Sequence, residues 1–231
     1  MARHMSTEPV AYRQIQFQMP PGATELLLVR HGESEAAIEG QPFELVEGHG
    51  DPALSPDGRE QAERVSDRLA REAIDAIYVS TLRRTSETAA PLARRLGITP
   101  IVDRDLREVY LGEWESGLFR KKVMERDPIA VRMIEEQRWD VIPGAEPQAE
   151  FAQRTRTVVE RIAAAHPDQR VAVFAHGGTI GEMLSQATGS TAFAFTSDNT
   201  GLSQLVIMPE RWILRRFNDT AHLDVGLATS R

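Results

Sequence analysis

Cysteine is absent from all 231 residues. That removes disulfides, thiolate nucleophiles and cysteine-held zinc from consideration, and it fits a reducing compartment. Positive charge is in the minority: 27 Lys and Arg face 34 Asp and Glu, a net charge of -7. Nucleic acid is therefore not an expected partner, although a local basic pocket would still attract small anions. No apolar run approaches the ~18 residues of a membrane span. The opening stretch, MARHMSTEPVAYRQIQFQMPPGA, lacks the apolar centre of a secretory signal. Aromatics are sparse at 6%, but the hydrophobic share of 41% is ordinary and sufficient for one well-buried core. These limits predict a cytoplasmic protein that is neither membrane-bound nor nucleic-acid-binding.

What is present is an alternation of short apolar runs with helical patterns. Residues 1–23 read as an irregular arm ending in Pro20-Pro21-Gly22, and 24–231 as a single domain. Leu26 to Val29 is a continuous apolar run, as a parallel strand covered on both faces requires. Ser55-Pro56-Asp57-Gly58 leads into a helix with apolar positions at Ala62, Val65, Leu69 and Ala73. Ala76 to Val79 reads as a strand, and RRTSETAAPLARRLG as a helix kinked near Pro91 and closed by Gly97. Ile98 to Val102 is a third short strand. Residues 103–145 lack strand patterning and read as a helical insertion. Residues 147–165 form an amphipathic helix, Val171 to Ala175 a strand, and 203–208 with 212–217 an antiparallel edge. The pattern predicts an α/β fold: a three-layer α/β/α sandwich with an open, mostly parallel sheet, capped by the 103–145 insertion.

Two strands end alike. LLLV runs into Arg30-His31-Gly32, and VAVFA runs into His176-Gly177-Gly178. Ligands of open parallel sheets bind at the carboxyl ends of the strands. If the two strands are neighbours, both imidazoles enter one crevice, and the glycines let backbone turn and ligand approach. Two histidines without cysteine or HExxH spacing make a poor metal site, and Arg30 would repel a dication. Cations around an imidazole suit an anion, and the planar arginine fork matches phosphate oxygens. In YVSTLRRTSETA a further arginine, Arg83 or Arg84, stands at the same edge where a helix begins. Phosphoryl transfer also needs a proton donor. Glu108, in the Leu-, Tyr- and Trp-rich DLREVYLGEWES, is the best candidate, because partial burial suits a carboxyl that must hold a proton.

These segments together resemble the histidine phosphatase superfamily, also called the phosphoglycerate mutase-like family, from Thr24 to about Leu223. LLLVRHGES is similar to its signature and GHGDPALSPDGREQA to the turn and helix that follow. VSTLRRTSETA carries the second arginine, assigned to Arg84 by the register of Ser80, Leu82 and Thr88. LREVYLGEWES carries the acid Glu108, VFAHGGTI the second histidine, and FNDTAHL resembles the closing segment. The resemblance implies His31 as nucleophile through a phosphohistidine, with Arg30, Arg84 and His176 holding the phosphoryl oxygens. Glu108 would protonate the leaving group, and Gly177, Glu33 and Ser34 would also contact substrate. It implies a small phosphorylated substrate, no metal and no cofactor, and a dimer is common among such proteins. Two departures stand out. Ala36-Ala37 occupies the place of a frequent asparagine, and Pro143-Gly144-Ala145-Glu146-Pro147 keeps Glu146 but not a following serine.

The interval from Glu108 to His176 is 68 residues, and Gly178-Thr179-Ile180-Gly181 follows the second histidine. Both features favour a phosphatase over a mutase, and the presence of all five core residues, His31, Glu108, His176, Arg30 and Arg84, speaks against a silent phospho-ligand-binding regulator. Specificity falls to residues 35–50 and 109–145, where Trp114, Phe119, Arg120, Lys121, Lys122, Arg126, Arg132 and Trp139 are the candidates. His49 reads either as a substrate-side residue or as a loop histidine; His166 and His222 read as structural.

Overall fold

The computed structural model describes residues 12–223. The expected arm is described only from Tyr12; residues 12–19 carry no regular structure and are largely exposed. In chain order the elements are β1 (Thr24–Arg30), β2 (Leu45–Val46), β3 (His49–Gly50), α1 (Pro56–Leu69), β4 (Ala76–Val79), α2 (Arg83–Leu96) and β5 (Ile101–Val102). Then follow α3 (Leu118–Met124), α4 (Pro128–Glu136), α5 (Gln148–Ala165), β6 (Arg170–Ala175), α6 (Gly177–Thr188), β7 (Leu202–Met208) and β8 (Arg211–Asp219).

The main sheet runs β5-β4-β6-β1-β7-β8. β5, β4, β6 and β1 are mutually parallel, while β7 lies antiparallel to β1 and β8 antiparallel to β7. The expected antiparallel edge thus has only β8 as its rim, because β7 pairs with β1 inside the sheet. The unbroken apolar runs have a simple cause. Leu26 and Leu28 with Val171 and Val173 pack under α5 and α6, through Val158, Ile162, Ile180 and Met183. Leu27 and Val29 with Ala172 and Phe174 face the other way, onto Val65, Leu69, Ala89 and Leu92 of α1 and α2. Alternate side chains of each strand therefore enter opposite apolar layers.

Local signals hold the helices in place. Ser55 caps α1, its Oγ accepting from Gly58 N at 3.0 Å. α2 runs through Pro91 as one helix and stops at Gly97, which takes φ 67°. Between β5 and α5 the chain forms only short helices, gathered on a small apolar cluster of Trp114, Ala130, Met133, Val141 and Ile142, with Phe119 and Trp139 beside it.

Candidate active site

β1 and β6 are adjacent and in register, Arg30 opposite Ala175. The ladder extends one step beyond the strands, since His31 N donates to Ala175 O at 3.0 Å. His31 and His176 consequently meet edge to face, with ring centroids 5.2 Å apart. Both are buried, 7% and 0% exposed. His31 Nδ1 lies 2.7 Å from Gly32 O. A carbonyl only accepts, so Nδ1 carries the proton and Nε2 keeps its lone pair. Burial, reinforced by the charges of Arg84 and Arg30, holds His31 well below its ordinary pKa. His176 is lowered likewise, first by burial and then by Arg84. At neutral pH both rings are uncharged.

Gly32 has a reason other than ligand access. A Cβ there would stand 2.5 Å from Gly58 O, so two backbones touch where the 31–34 turn crosses the start of α1. Gly32 N also donates to Thr88 Oγ1 at 2.9 Å. Ser80 Oγ lies 2.9 Å from His176 Nε2 and accepts from Leu82 N at 3.2 Å. Ser80 and Thr88 thus hold the two histidine segments from α2 and its lead-in.

The guanidiniums converge on the same place. Arg30 Nη1 donates to Ser197 O at 2.5 Å, while its buried Nε has no partner among the described residues. Arg84 is 8% exposed, donates to Gly50 O at 2.9 Å, and approaches Asp51 only to 3.9 Å. Burial lowers its pKa to about 10, so it remains a cation at pH 7. Arg83 points outward with its side chain 46% exposed. His176 Nδ1 is likewise buried and unpartnered among the described residues. Buried donors and acceptors left unpaired are costly, and here they border a cationic crevice.

Glu108 sits differently from the expected apolar setting. Its Oε2 accepts from Gly178 N at 3.1 Å, and its Oε1 accepts from Thr179 N at 3.1 Å and Val109 N at 3.0 Å. It therefore caps the N-terminus of α6, whose own cap residue, His176, supplies no side-chain bond. A Cβ on Gly178 would meet Glu108 Oε1 at 2.6 Å, so a larger residue there would displace that carboxylate. Gly177 lies beside Arg30. Ser34 is buried and Glu33 exposed at the mouth. Ser34 Oγ accepts from Arg120 Nη2 at 2.6 Å.

His49 is buried beside Tyr110 and Glu115, 3.8 Å from Glu115 Oε1, and faces a separate cavity with Arg107, Glu146 and Arg154. The turn before β7 is a contributor the sequence reading missed. Asn199 Nδ2 donates to His31 O at 3.0 Å, and Thr200 N to Arg30 O at 3.0 Å. An asparagine in the polar stretch TSDNTG carries no pattern that would mark it. Among the described residues no group of three or more His, Cys, Asp or Glu is arranged to hold a metal, and no helix is long and apolar enough to cross a membrane.

The model of the histidine phosphatase superfamily (branch 1) matches residues 26–220. Phosphoglycerate mutase-like protein 4 of Arabidopsis thaliana is 33% identical, the match covering 87% of each chain. Phosphoserine phosphatase 1 of Hydrogenobacter thermophilus is 32% identical over 86% of this chain and 94% of its own. The structure of a mycobacterial glucosyl-3-phosphoglycerate phosphatase superposes with a TM-score of 0.72 at 27% identity, covering 86% of this chain and all of that one. The chain belongs to the histidine phosphatase superfamily.

Proposed function

We propose that this member of the histidine phosphatase superfamily is a metal-independent phosphomonoesterase, acting on a small phosphorylated metabolite in the cytoplasm through a phosphohistidine. The observation that carries the reading is the state of His31: a buried, neutral imidazole whose Nδ1–H is tied to Gly32 O. Its Nε2 lone pair is free beside two guanidiniums that have no closely bonded carboxylate. A protein that merely bound phosphate would have no use for a tautomer locked as a nucleophile.

In this reading Nε2 attacks phosphorus as the P–O bond to the leaving group breaks. Arg30 and Arg84 take the developing charge on the phosphoryl oxygens. His176 Nδ1 donates to one of those oxygens when Ser80 Oγ donates to Nε2 across their 2.9 Å separation, since Thr85 Oγ1 spends its own hydrogen on Leu82 O at 2.8 Å. Glu108 gives its proton to the departing oxygen. It then takes one from the water that attacks phosphohistidine, releasing inorganic phosphate and restoring His31. Phosphoserine phosphatases among the relatives and the short interval between Glu108 and His176 favour hydrolysis over mutase transfer.

The test is hydrolysis of a phosphomonoester panel in EDTA by wild type and His31→Ala. The expected result is turnover that persists in EDTA and drops to background in the variant, with an acid-labile phosphoryl group trapped only on the wild type. Equal turnover in both proteins, or loss in EDTA, would overturn the reading.

A further inference from the structure

The cap cations do not behave alike. Lys121 is ion-paired with Glu39, Lys122 with Asp127 at 2.7 Å, and Arg132 with Glu136 at 3.4 Å. Arg120, beside Lys121 and Lys122 on α3, has no carboxylate within ion-pair distance among the described residues and turns to Ser34 and Glu35 instead. Its Nη2 donates to Ser34 Oγ at 2.6 Å and its Nη1 to Glu35 O at 2.7 Å, with the guanidinium 5.3 Å above the Phe43 ring.

The chain builds this placement deliberately. Gly117, at φ 93°, begins α3 so close to the 34–43 loop that a Cβ would come within 2.9 Å of Ala37 Cβ and 3.0 Å of Phe43. Small residues on both sides, Ala37 and Gly117, seat the first turn of α3 on that loop. Arg120 is then carried over the signature segment. It is close enough that its charge lowers the proton affinity of both His31 and Arg84, and Arg30 opposes it in turn. A third guanidinium at the rim of a site already holding Arg30 and Arg84 is electrostatically costly unless an anion joins it. Of its five N–H donors, two are used on neutral oxygens. The phosphoryl group is provided for by the half-buried Arg30 and the buried Arg84, whereas Arg120 is exposed and reaches the signature segment through Ser34 and Glu35.

We infer that the leaving group of the natural substrate carries a second anionic group, a carboxylate or a further phosphate, which Arg120 binds. This rests on the phosphatase reading and deepens it. Arg120 sets specificity; it does not touch the reacting atoms.

The experiment compares matched esters that differ only in the second anion: 3-phosphoglycerate against glycerol 3-phosphate, and glucose 1,6-bisphosphate against glucose 6-phosphate. p-Nitrophenyl phosphate serves as an activated ester for turnover itself. Wild type should prefer the doubly anionic member of at least one pair by about tenfold or more in kcat/KM, chiefly through KM. The pair that shows it identifies the anion. Arg120→Gln should erase that ratio. Arg120→Lys, which keeps the charge without the fork, should retain part of it, and it carries the test if the glutamine variant does not fold. Turnover with no preference in either pair, or a preference that survives Arg120→Gln, overturns the inference and leaves the phosphatase reading intact. An equal loss on every substrate also overturns it, by making Arg120 a ligand of the transferred phosphoryl group. No turnover of any ester by wild type overturns both.

Discussion

The molecule has two arginine- and histidine-lined hollows within a few side chains of each other, and they differ in how charge is balanced. In the first, around His31 and His176, Arg30 lacks an ion-paired carboxylate among the described residues, and Arg84 meets one only at 3.9 Å. In the second, a cavity of about 430 Å³ bordered by His49, Arg107, Tyr110, Glu146 and Arg154, Arg107 and Arg154 are both closely matched. Arg154 holds Glu146 through contacts of 2.6 and 2.8 Å and also donates to the carbonyls of Asp105, Arg107 and Glu108. Arg107 is bonded to Glu47 at 2.6 Å. In the second hollow the charges already answer one another. The first asks for an anion from outside. Unanswered charge, more than the number of charged residues, separates a site from a structural network.

That contrast can be broken by substitution. Arg84→Gln or Arg30→Gln should lower kcat/KM for the best ester by about 10²–10³-fold, with little loss in urea stability, since neither has a close ionic partner to abandon. Arg154→Met should do the opposite. It strands Glu146 and three carbonyls, so urea unfolding should show a loss of about 3 kcal/mol, while kcat/KM falls far less than in Arg84→Gln. If Arg154→Met instead matched Arg84→Gln in activity and kept its stability, the second hollow would belong to the reaction.

Finer effects sharpen the comparison. Asn199→Ala removes the hydrogen bond that holds the His31 carbonyl. A cost of about 1 kcal/mol should appear in kcat more than in KM, because substrate contacts remain; a pure rise in KM would make Asn199 a substrate ligand. The pH effect is smallest. Burial lowers His49 to about 4 in the folded protein, below the about 6.5 of an unfolded histidine. The unfolded chain therefore takes up that proton first as pH falls. His49 costs stability from about pH 6.5 downward, with the loss complete near pH 4. His49→Gln should thus lose less in urea midpoint between pH 7 and pH 5 than wild type; an equal or larger loss would contradict the assignment.

Much of this was legible in the chain. The apolar run Leu26 to Val29, the lead-in Ser55-Pro56-Asp57-Gly58 and the stop at Gly97 are local signals, and the structure uses each as read. The matching His-Gly ends of β1 and β6 pointed to one crevice, because parallel neighbours bring equivalent ends together. Other parts were not legible. Glu108 looked like a carboxyl buried among apolar neighbours, yet it caps α6 from 70 residues away in sequence. Arg120 was indistinguishable from Lys121 and Lys122, since all three lie on one short helix and only packing decides which faces the site.

The sequence by itself therefore determined the layers, the strand ends and the reactive residue types, since these follow from periodicity, chain stiffness and side-chain chemistry within short windows. Tertiary structure alone decided charge balance and proton placement: which His31 nitrogen is free, which arginines go unanswered, and which hollow is already neutral. Those depend on distances between residues far apart in the chain, and Coulomb and hydrogen-bond energies turn on a few tenths of an ångström to a few ångströms.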